Sequence, residues 1–499
     1  MKGKVTLVGA GPGDPGLLTL RGAEVLRAAE VVVCDRLVGE EILALLPPTA
    51  ERIDVGKDPG HHPVPQSRIN EILLEKALSG KQVVRLKGGD PYLFGRGAEE
   101  LELLRAHGVP FEVVSGVTSA LAAPAAAGIP VTHRDWASSV HIVTGHARAG
   151  KELDINFSAL KEAGGTLVFL MGMAALEGIC SGLLAAGMAS QTPAAVVERG
   201  TLPAQRKVVS TLAALGEDVR RAGLSNPAVI VVGAVAALSE ACDWFTRRPL
   251  SGRRVVVTRP KGRGEAFCRR LRALGAQVLH CPTIETVSAL DSKKLEEILH
   301  LCDSVQWIAF TSVFGVDCFF DALWAAGYDL RRCAAQRFAA IGSATARALE
   351  RRGIRPDYVP AVYDTAHLAR GLAERATGEV LLLRSAQGSP ELPRILAEAG
   401  TAYRDVPTYV TRSAPPHPAL LRWLEEGECI VTFTSGSTVR GFAEAAGGKL
   451  SRVRGVSLGA PTANICAEYG ISTLVAKEAT EAGLLNLILE AYGERREGV

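Results

Sequence analysis

Short apolar runs alternate along the chain with segments whose apolar residues recur every three or four positions. The runs are rich in valine, isoleucine and leucine, which is typical of strands buried on both faces of a parallel sheet. Segments such as Leu17–Ala29 and Ser67–Leu78 carry the helical spacing. This alternation predicts an α/β protein with largely parallel sheets. The predicted strands of the first half are Val5–Val8, Val31–Val33, Val83–Leu86, Val140–Val143, Leu167–Met171 and Val229–Val232.

The alternation pauses at 241–252, where the sequence ACDWFTRRPLSG contains several charges, a proline and a glycine. A new apolar run, Arg254–Thr258, follows it. A chain of 499 residues exceeds what one hydrophobic core usually holds, so more than one domain is expected. We therefore predict an N-terminal domain at 1–240, a linker at 241–251 and a C-terminal domain at 252–499.

The C-terminal half contains an internal repeat. Phe310-Thr311-Ser312 recurs as Phe433-Thr434-Ser435, and each copy is followed by Gly-x-x-Thr-Ala, beginning at Gly342 and at Gly459. Both copies fit the order strand, turn, helix, strand, and a second turn that opens another helix. Such sequences are also common helix caps, which is the simpler explanation. Their shared order favours two similar α/β lobes that face each other across a cleft.

Composition excludes several classes of protein. Hydrophobic residues make up 47% and charged residues 22%, and the net charge of +3 gives no basic field for nucleic acid. No signal peptide is expected, and the apolar run at 119–131 is interrupted by prolines and a glycine, so no membrane span is expected. The ten cysteines form no Cys-x-x-Cys pair, and the histidines no metal-binding motif. We expect reduced thiols, a cytoplasmic protein and no metal site.

The first strand leads into a glycine-rich turn, VGAGPGDPGLLTLRG, at 8–22. Glycines at the end of a parallel strand let a ligand approach the backbone. The dinucleotide fingerprint fits poorly, because Asp14 stands where its third glycine should be and Pro12 lacks an amide proton. A tight turn capped by Asp14 is the simpler alternative.

Polar residues follow the next two strands. Asp35, in CDRLV, comes at the carboxyl end of a strand, the edge where ligands bind in open α/β sheets, although a lone Asp there is more often a helix cap. The long polar segment 56–70 contains Lys57 and two histidines. In VVRLKGGDPYLFGRGAEE, at 83–100, paired glycines permit close contact with a ligand. Asp90 can accept hydrogen bonds from it, and Arg96 can pair with a carboxylate.

The ordered set GAGPGDP, DRLV, GKxxGxH, RLKGGDP, GVTSA and GIPVTHRD resembles uroporphyrinogen-III C-methyltransferase. The likeness extends through TGH at Thr144, LMG at Leu170 and ERGT at Glu198, and covers 1–240. Each motif alone is weak, but six in order are highly specific. The resemblance implies a two-lobed α/β fold that binds S-adenosylmethionine between its lobes. It also implies two methyl transfers that convert uroporphyrinogen III to precorrin-2, and it allows a homodimer through this half.

The resemblance also implies roles for individual residues. Asp35 is the implied proton acceptor and Lys57 the implied proton donor. Because the substrate carries many carboxylates, Lys57, Arg96 and Arg134 are expected to bind it. A sulfonium methyl is already electrophilic, so the site must align the reactants and remove a proton without a metal. The implied cofactor contacts are Pro12, Gly88, Gly89, Asp90, Leu93, Thr118, Ser119, Met171 and Gly200.

The second half, 252–499, resembles uroporphyrinogen-III synthase through shorter motifs, including FTSVFGV at Phe310, VPTYVTR at Val406 and TFTSGSTVRGF at Thr432. Its hydroxyl-rich turns and helix amino termini suit an anion-binding cleft. The resemblance implies two lobes joined by a two-stranded ladder, one at 252–286 plus 411–499 and the other at 287–410. It implies closure of hydroxymethylbilane with inversion of ring D.

Site residues in this half are less sharply defined. Tyr409 is the implied catalytic residue, although a half-buried strand aromatic is nearly as good an explanation. Phe314 departs from the family, many of whose members have asparagine there. The expected substrate contacts are Arg259, Thr311, Arg384, Ser435 and Thr462.

Two alternatives remain open on sequence alone. The first half could methylate another precorrin, an RNA or a protein, since relatives of the same fold do so. The second half could be a ligand-binding module without chemistry, as many bilobed α/β proteins are. RGTLPAQRKVV at Arg199 and GIPVTHRD favour uroporphyrinogen as the substrate of the first half.

Overall fold

The computed structural model describes residues 3–35, 38–43, 45–47, 49–56, 64–145, 154–417 and 419–493. These residues form two compact units. The first takes in the described residues up to Gly252 together with Arg272–Gln277, and the second takes in Arg253–Leu271 and Val278–Gly493. Within these ranges, no helix is both long enough and apolar enough to cross a bilayer.

The first unit contains two five-stranded sheets. Its strands are β1 (Lys4–Gly9), β2 (Val31–Cys34), β3 (Glu51–Asp54), β4 (Gln82–Lys87), β5 (Phe111–Val114), β6 (Val140–Thr144), β7 (Thr166–Leu170), β8 (Pro193–Glu198), β9 (Arg206–Thr211) and β10 (Ala228–Val232). Its helices are α1 (Leu20–Arg27), α2 (Glu40–Leu43), α3 (Gln66–Leu78), α4 (Gly97–Ala106), α5 (Ser119–Ala126), α6 (Phe157–Ala163), α7 (Leu176–Ala185) and α8 (Leu215–Ala222).

The first sheet has the order β3-β2-β4-β1-β5 and is parallel throughout. Successive residues of its strands pack into two separate hydrophobic cores: Val31 and Val33 lie in one, and Val32 and Cys34 lie in the other. Because side chains alternate across a strand, a sheet buried on both faces needs an unbroken apolar run. The run at 31–34 has this pattern.

The second sheet differs from the prediction of largely parallel sheets. Its order is β6-β7-β10-β8-β9, and only the β6–β7 pair is parallel. The strands β8 and β9 are joined by a short connection, which favours an antiparallel pair. The edge strand β9 begins with Arg206 and Lys207 and has no fully buried residue, so no apolar run marked it in the sequence.

The second unit also has two five-stranded sheets. Its strands are β11 (Arg254–Val257), β12 (Gln277–His280), β13 (Ile284–Ser288), β14 (Trp307–Phe310), β15 (Arg337–Ala340), β16 (Val380–Ser385), β17 (Tyr403–Ser413), β18 (Cys429–Phe433), β19 (Val453–Ser457) and β20 (Thr473–Val475). Its helices are α9 (Glu265–Ala273), α10 (Ser292–Cys302), α11 (Val313–Ala325), α12 (Ser343–Arg351), α13 (Thr365–Arg375), α14 (Glu391–Glu398), α15 (Leu420–Glu426), α16 (Gly436–Ala446), α17 (Ala460–Glu468) and α18 (Glu481–Tyr492).

One sheet has the order β12-β11-β18-β19-β20, and the other β13-β17-β16-β14-β15. The antiparallel pair β13–β17 runs where the chain passes between the two lobes, with Ile284 opposite Ser413 and Ser288 opposite Tyr409. The two-stranded ladder expected between the lobes is therefore present.

The internal repeat has the same local backbone in both lobes. Ser312 and Ser435 cap α11 and α16 with φ angles of −162° and −163°. Gly342 and Gly459 precede α12 and α17 with φ angles of −172° and −167°. Each lobe thus places two helix amino termini after neighbouring strands, which supports an evolutionary or structural repeat over coincidental caps.

The segment predicted as a linker packs against the first unit. The indole nitrogen of Trp244 donates to the carbonyl of Ala125 at 3.0 Å, and Asp243 forms an ion pair with Lys207 at 2.9 Å. Phe245 is buried. The apolar residues of the segment 241–251 explain why this charged stretch is ordered. The domain boundaries themselves stay a prediction.

Candidate active sites

Three parallel strands of the first unit, β4, β1 and β5, end side by side in glycine-rich loops. The amide of Gly11 donates to the carbonyl of Gly89 at 3.2 Å, and the amide of Gly89 donates to the carbonyl of Gly11 at 2.7 Å. A Cβ atom on Gly9 would lie 2.5 Å from the Cα atom of Gly116. Larger residues are excluded where these loops cross, which explains the glycines of the first turn.

The Gly-Gly-Asp-Pro turn lies at the same edge. Gly89 has a φ of 67°, and a Cβ atom there would meet nothing within 4 Å, so its Cα atom faces open space. The Asp90 carboxylate accepts bonds from the amides of Tyr92, Leu93 and Gly116 at 2.8, 3.2 and 3.1 Å. We expected Asp90 to accept hydrogen bonds from a ligand; these three amides show that it first of all fixes the loop.

Residues with strained backbone cluster in the first unit. A positive φ in a non-glycine residue costs roughly 1–3 kcal/mol and persists where the surroundings impose it, often at functional sites. Met171, an implied cofactor contact, has a φ of 55° and a side chain that is 48% exposed at the end of β7. The non-glycine residues of the described chain with positive φ are Phe94, Arg96, Met171, Arg199 and Thr201.

The turn around Gly200 follows β8 of the second sheet. A Cβ atom on Gly200 would lie 2.3 Å from that of Ala123 in α5, and one on Gly13 would lie 2.8 Å from Cδ2 of Leu202. The hydroxyl of Thr201 is buried and has no hydrogen-bond partner among the described residues. The structure thus brings the turn after β8 to α5 and to the first glycine turn.

The other implied cofactor contacts have intermediate burial. Thr118 caps α5, since its hydroxyl accepts from the amide of Ala120 at 3.3 Å, and Ser119 is the first residue of that helix. The half-buried members of the set are Pro12, Gly88, Gly89, Asp90, Leu93, Thr118, Ser119 and Gly200.

Asp35 follows β2 directly and lies at the same sheet edge, because its amide donates to the carbonyl of Leu86 in β4 at 3.2 Å. Its side chain is 33% exposed, and its Oδ1 atom accepts from Nη2 of Arg85 at 2.6 Å. The described residues make no hydrogen bond to Oδ2 of this carboxylate. The arrangement suits a carboxylate that is held by one oxygen and accepts a proton on the other.

The expected substrate-binding residues of the first unit have different surroundings. Lys57 lies outside the described residues. Arg134 is exposed in a turn closed by hydrogen bonds between His133 and Ala137. Arg96 forms an exposed ion pair with Glu99 at 2.5 Å through Nε and Nη2, so a substrate carboxylate would compete with Glu99 for these donors.

In the second unit, Tyr409 is 8% exposed and lies on β17. Its hydroxyl lies 2.7 Å from Oγ of Ser312, the residue after Thr311, and its ring lies edge-on to Phe314 at 5.2 Å. Ser312 also accepts from the amide of Gly315 at 3.0 Å. Tyr409 is thereby connected to the amino terminus of α11.

Two expected contacts lie at neighbouring helix starts of the other lobe. Ser435 forms a capping box with Thr438 at the start of α16. Thr462 is 8% exposed in the first turn of α17. A Cβ atom on Gly436 would lie 2.2 Å from Cδ1 of Ile465, so the start of α16 is in close contact with α17.

The two expected arginines already have carboxylate partners. Arg384 is 8% exposed and holds both oxygens of Asp405, at 2.8 and 2.6 Å. Arg259 pairs with Glu481. A substrate carboxylate would have to displace Asp405 from Arg384, and displacement of such a buried, bidentate pair is costly. This geometry does not favour Arg384 as a substrate contact.

Sequence reasoning missed the charged residues behind Asp35. Arg85 and Lys87 alternate with apolar residues in the buried strand β4, and both contact Glu100 of α4, which is fully buried. The sequence did contain a signal for this cluster, because two basic residues stand two positions apart among the apolar residues of the strand. Buried charges need partners, so this pattern indicates a buried carboxylate nearby.

Both halves of the chain match known families. Residues 4–216 match the family described as Tetrapyrrole (Corrin/Porphyrin) Methylases, and residues 265–486 match Uroporphyrinogen-III synthase HemD.

Similar proteins cover either the whole chain or its first half. The porphyrin biosynthesis protein HemD of Ruminiclostridium josui is 46% identical over 98% of both chains. The siroheme synthase of Saccharophagus degradans is 49% identical over 49% of this chain and 53% of its own length. The match to that protein therefore spans about half of it.

Solved structures resemble each half separately. Uroporphyrin-III C-methyltransferase of Thermus thermophilus, complexed with S-adenosylhomocysteine, is 42% identical, covers 47% of this chain and 100% of its own, and has a TM-score of 0.42. A mutant uroporphyrinogen III synthase of Thermus thermophilus is 24% identical over 48% of this chain and 98% of its own, with a TM-score of 0.38. With both family matches and a relative that is similar along its whole length, the chain belongs to the porphyrin biosynthesis proteins that join a tetrapyrrole methylase to a uroporphyrinogen-III synthase.

Proposed function

We propose that the chain catalyses two consecutive steps of tetrapyrrole synthesis. The half at 252–499 closes hydroxymethylbilane to uroporphyrinogen III, and the half at 1–240 methylates that product twice to precorrin-2, the segment 241–251 connecting them. The observation that carries the proposal is Asp35, a carboxylate held by Arg85 at 2.6 Å on the sheet edge where the glycine turns meet. The chain matches both families, and the order of the steps follows because uroporphyrinogen III is the product of the synthase and the substrate of the methylase.

The first unit fits S-adenosylmethionine, the methyl donor. Gly89 offers open space beside its Cα atom, Met171 offers an exposed apolar side chain, and the buried hydroxyl of Thr201 has no partner among the described residues. A nucleoside with an amino-acid tail needs close backbone contact, an apolar surface and polar partners of this kind. When bound, this donor supplies an electrophilic methyl group on a sulfonium.

The residues of the chain supply positioning and proton removal. Asp35 accepts the proton that the macrocycle loses after a pyrrole carbon has gained the methyl group, because a placed carboxylate is a suitable base. Asp90 accepts hydrogen bonds from three backbone amides and so holds the Gly89 turn, which keeps the backbone in place beside the methyl donor. Lys57 is proposed as the proton donor on the basis of the sequence.

In the second unit, we propose that Tyr409 assists loss of water from hydroxymethylbilane. Its hydroxyl is anchored to Ser312, which follows Thr311 at the start of α11. The amino termini of α11, α12, α16 and α17 orient backbone amides that favour carboxylates. The main task of this half is then to hold the linear tetrapyrrole folded while its ends join.

We also propose the setting in which the chain works. Its substrates are small tetrapyrroles rather than nucleic acid or membrane, and the resemblance allows a homodimer through the methylase half. All ten cysteines are free thiols, which supports a cytoplasmic location. Light scattering of the purified chain would establish its oligomeric state.

The test uses the full chain with hydroxymethylbilane and S-adenosylmethionine. We expect precorrin-2 without any added synthase, and uroporphyrinogen III when the methyl donor is omitted. The Asp35→Asn variant should accumulate uroporphyrinogen III even with the donor present. Chromatography of the oxidised products separates the isomers. If the chain gave only the uninverted isomer that forms without enzyme, the synthase half of the proposal would be wrong.

A further inference from the structure

A cluster of charged residues lies buried behind Asp35. Glu100 of α4 is fully buried, and its Oε1 atom accepts from Nε of Arg85 at 3.0 Å, from Nζ of Lys87 at 2.7 Å and from Nε2 of Gln66 at 3.1 Å. Its Oε2 atom is buried without a hydrogen-bond partner among the described residues. Three donors therefore converge on one oxygen of a carboxylate that water does not reach.

Arg85 connects this carboxylate to Asp35. Its guanidinium is 2% exposed; Nε donates to Glu100, and Nη2 donates to Asp35 at 2.6 Å. Nη1 donates to the carbonyls of Val33 and Leu86 at 3.3 and 3.4 Å. Because the guanidinium is planar, contacts on three sides fix both its place and its orientation. Oδ1 of Asp35 is fixed in turn.

Stability alone does not explain the cluster. Buried ion pairs are often no more stabilising than apolar side chains of similar size, because desolvation offsets the attraction. Burial, together with the nearby charge of Arg85, lowers the pKa of Lys87. Although burial opposes the charge of Arg85, Asp35 and Glu100 together raise its pKa. The pairing thus keeps a permanent positive charge directly behind Asp35.

We propose that Glu100 is a positioning residue for methyl transfer, which holds Arg85 so that Asp35 presents one fixed oxygen to the substrate. This inference rests on the proposed role of Asp35 as proton acceptor. Glu100 itself touches neither substrate nor methyl donor. When the charge of Glu100 is removed, Asp35 is the only anionic partner that Arg85 retains in the cluster. Arg85 then draws the Asp35 carboxylate out of its reactive orientation. A small misplacement of a catalytic group can cost about 100-fold in rate.

The test is a double-mutant cycle on the full chain with Glu100→Gln, Asp35→Asn and the double variant. Glutamine keeps the size and the accepting Oε1 atom but removes the charge. We expect Glu100→Gln to lower kcat for the first methylation by about 10- to 100-fold. KM for uroporphyrinogen III and Kd for S-adenosylhomocysteine should stay within about two-fold of the parent. The reason is that the variant loses stabilisation of the transition state and not of the bound ground state.

The decisive measurement is coupling. In the Asp35→Asn background, Glu100→Gln should cause no further loss of the residual rate, because the group that it positions is no longer a base. Asp243→Asn is the matched control: Asp243 is an ion-paired, 11% exposed carboxylate in the same unit, bonded to Lys207 at 2.9 Å and to the amide of Thr246. Its loss should lower stability but leave kcat unchanged.

The outcomes separate the inference from the proposed function. Normal methyl transfer by Asp35→Asn would refute the assignment of Asp35 as the base and, with it, the positioning role of Glu100. A defective Asp35→Asn with a normal Glu100→Gln, or with additive losses in the double variant, would refute the positioning role alone. Should Glu100→Gln fail to fold, Arg85→Lys serves in the same cycle, because an ammonium keeps the charge but cannot reach both carboxylates with fixed geometry.

Discussion

The hydroxyl of Tyr409 lies 2.7 Å from Oγ of Ser312, so a residue of the long strand β17 is hydrogen-bonded to the cap of α11. The ring of Phe314, the second residue of that helix, lies edge-on to the tyrosine at 5.2 Å. This aromatic contact packs Phe314 against the tyrosine and supports its position.

Tyr409→Phe should lower synthase activity by at least about 10-fold, while the stability loss of one hydrogen bond stays near 0.5–1.5 kcal/mol. The ring contact with Phe314 is retained in the variant. Formation of uroporphyrinogen III from hydroxymethylbilane gives the rate. Tyr358→Phe is the matched control, since it removes a hydroxyl that donates to the carbonyl of His367 at 3.2 Å in the same lobe. Equal activity of the two variants would show that Tyr409 only supports the fold.

Asp90→Ala should weaken binding of S-adenosylhomocysteine through the backbone. Its carboxylate holds the amides of Tyr92, Leu93 and Gly116, and loss of bonds to a charged group costs about 1.5–3 kcal/mol, which corresponds to roughly 10- to 150-fold in Kd. Isothermal titration measures the change. Asp291→Ala, which removes the cap of α10 in the other unit, should leave Kd unchanged. An unaltered Kd in Asp90→Ala would mean that the turn keeps its shape without the carboxylate.

Gly200→Ala should disturb the packing of the turn after β8 against α5. The added methyl group would lie 2.3 Å from the Cβ atom of Ala123, so the turn or α5 must move, at a cost of about 1–3 kcal/mol. We expect weaker cofactor binding and a lower free energy of unfolding. Gly216→Ala is the control, because its nearest neighbour would be Cγ of Glu177 at 3.7 Å. If both variants bound the cofactor equally well, Gly200 would have no part in the site.

Local signals in the sequence mark the edge of the first sheet at which we propose that the cofactor binds. The run at 31–33 is contained in β2, and the glycines at 9, 11 and 89 stand where loops cross. The repeat was equally visible, since Ser312 and Ser435 cap their helices with the same geometry.

Long-range pairing was not visible in the same way. Arg384 resembled a free carboxylate binder, yet Asp405, 21 positions along the chain, occupies it once β16 and β17 pair. The role of Glu100 depends on α4 covering the end of β4, which brings Arg85 to it across 15 positions. Such contacts follow from packing between elements, which periodicity within one element does not specify.

Cys242 should be the one thiol that reacts quickly in the native chain. It is exposed, whereas the other nine free cysteines are buried. Burial also raises the pKa of Cys180 and Cys281 to about 11, which disfavours the reactive thiolate. Labelling with a thiol reagent at pH 8 should give one fast equivalent that Cys242→Ser abolishes. Several fast equivalents would indicate that the cores open readily.

The buried thiols also predict a loss of stability in alkali. Burial raises the pKa of Cys281 from the ordinary value of a cysteine thiol, near 9.0, to about 11 in the folded protein. Between these values the folded state holds a proton that the unfolded state has released. The free energy of unfolding therefore falls as pH rises from about 9 to 11, by at most roughly 2–3 kcal/mol for this thiol.

Urea unfolding at pH 8 and pH 10.5 measures this effect. Cys281→Ala removes the titrating group and leaves a small cavity, so it should be less stable at pH 8 but lose less stability on going to pH 10.5 than the parent does. Cys242→Ala is the matched control, because it removes an exposed rather than a buried thiol, and the alkaline loss of the parent should persist in it. An identical alkaline loss in Cys281→Ala and the parent would show that other groups govern it. The comparison uses the difference between two pH values within each variant, so the cavity in Cys281→Ala, which weakens the protein equally at both, cancels.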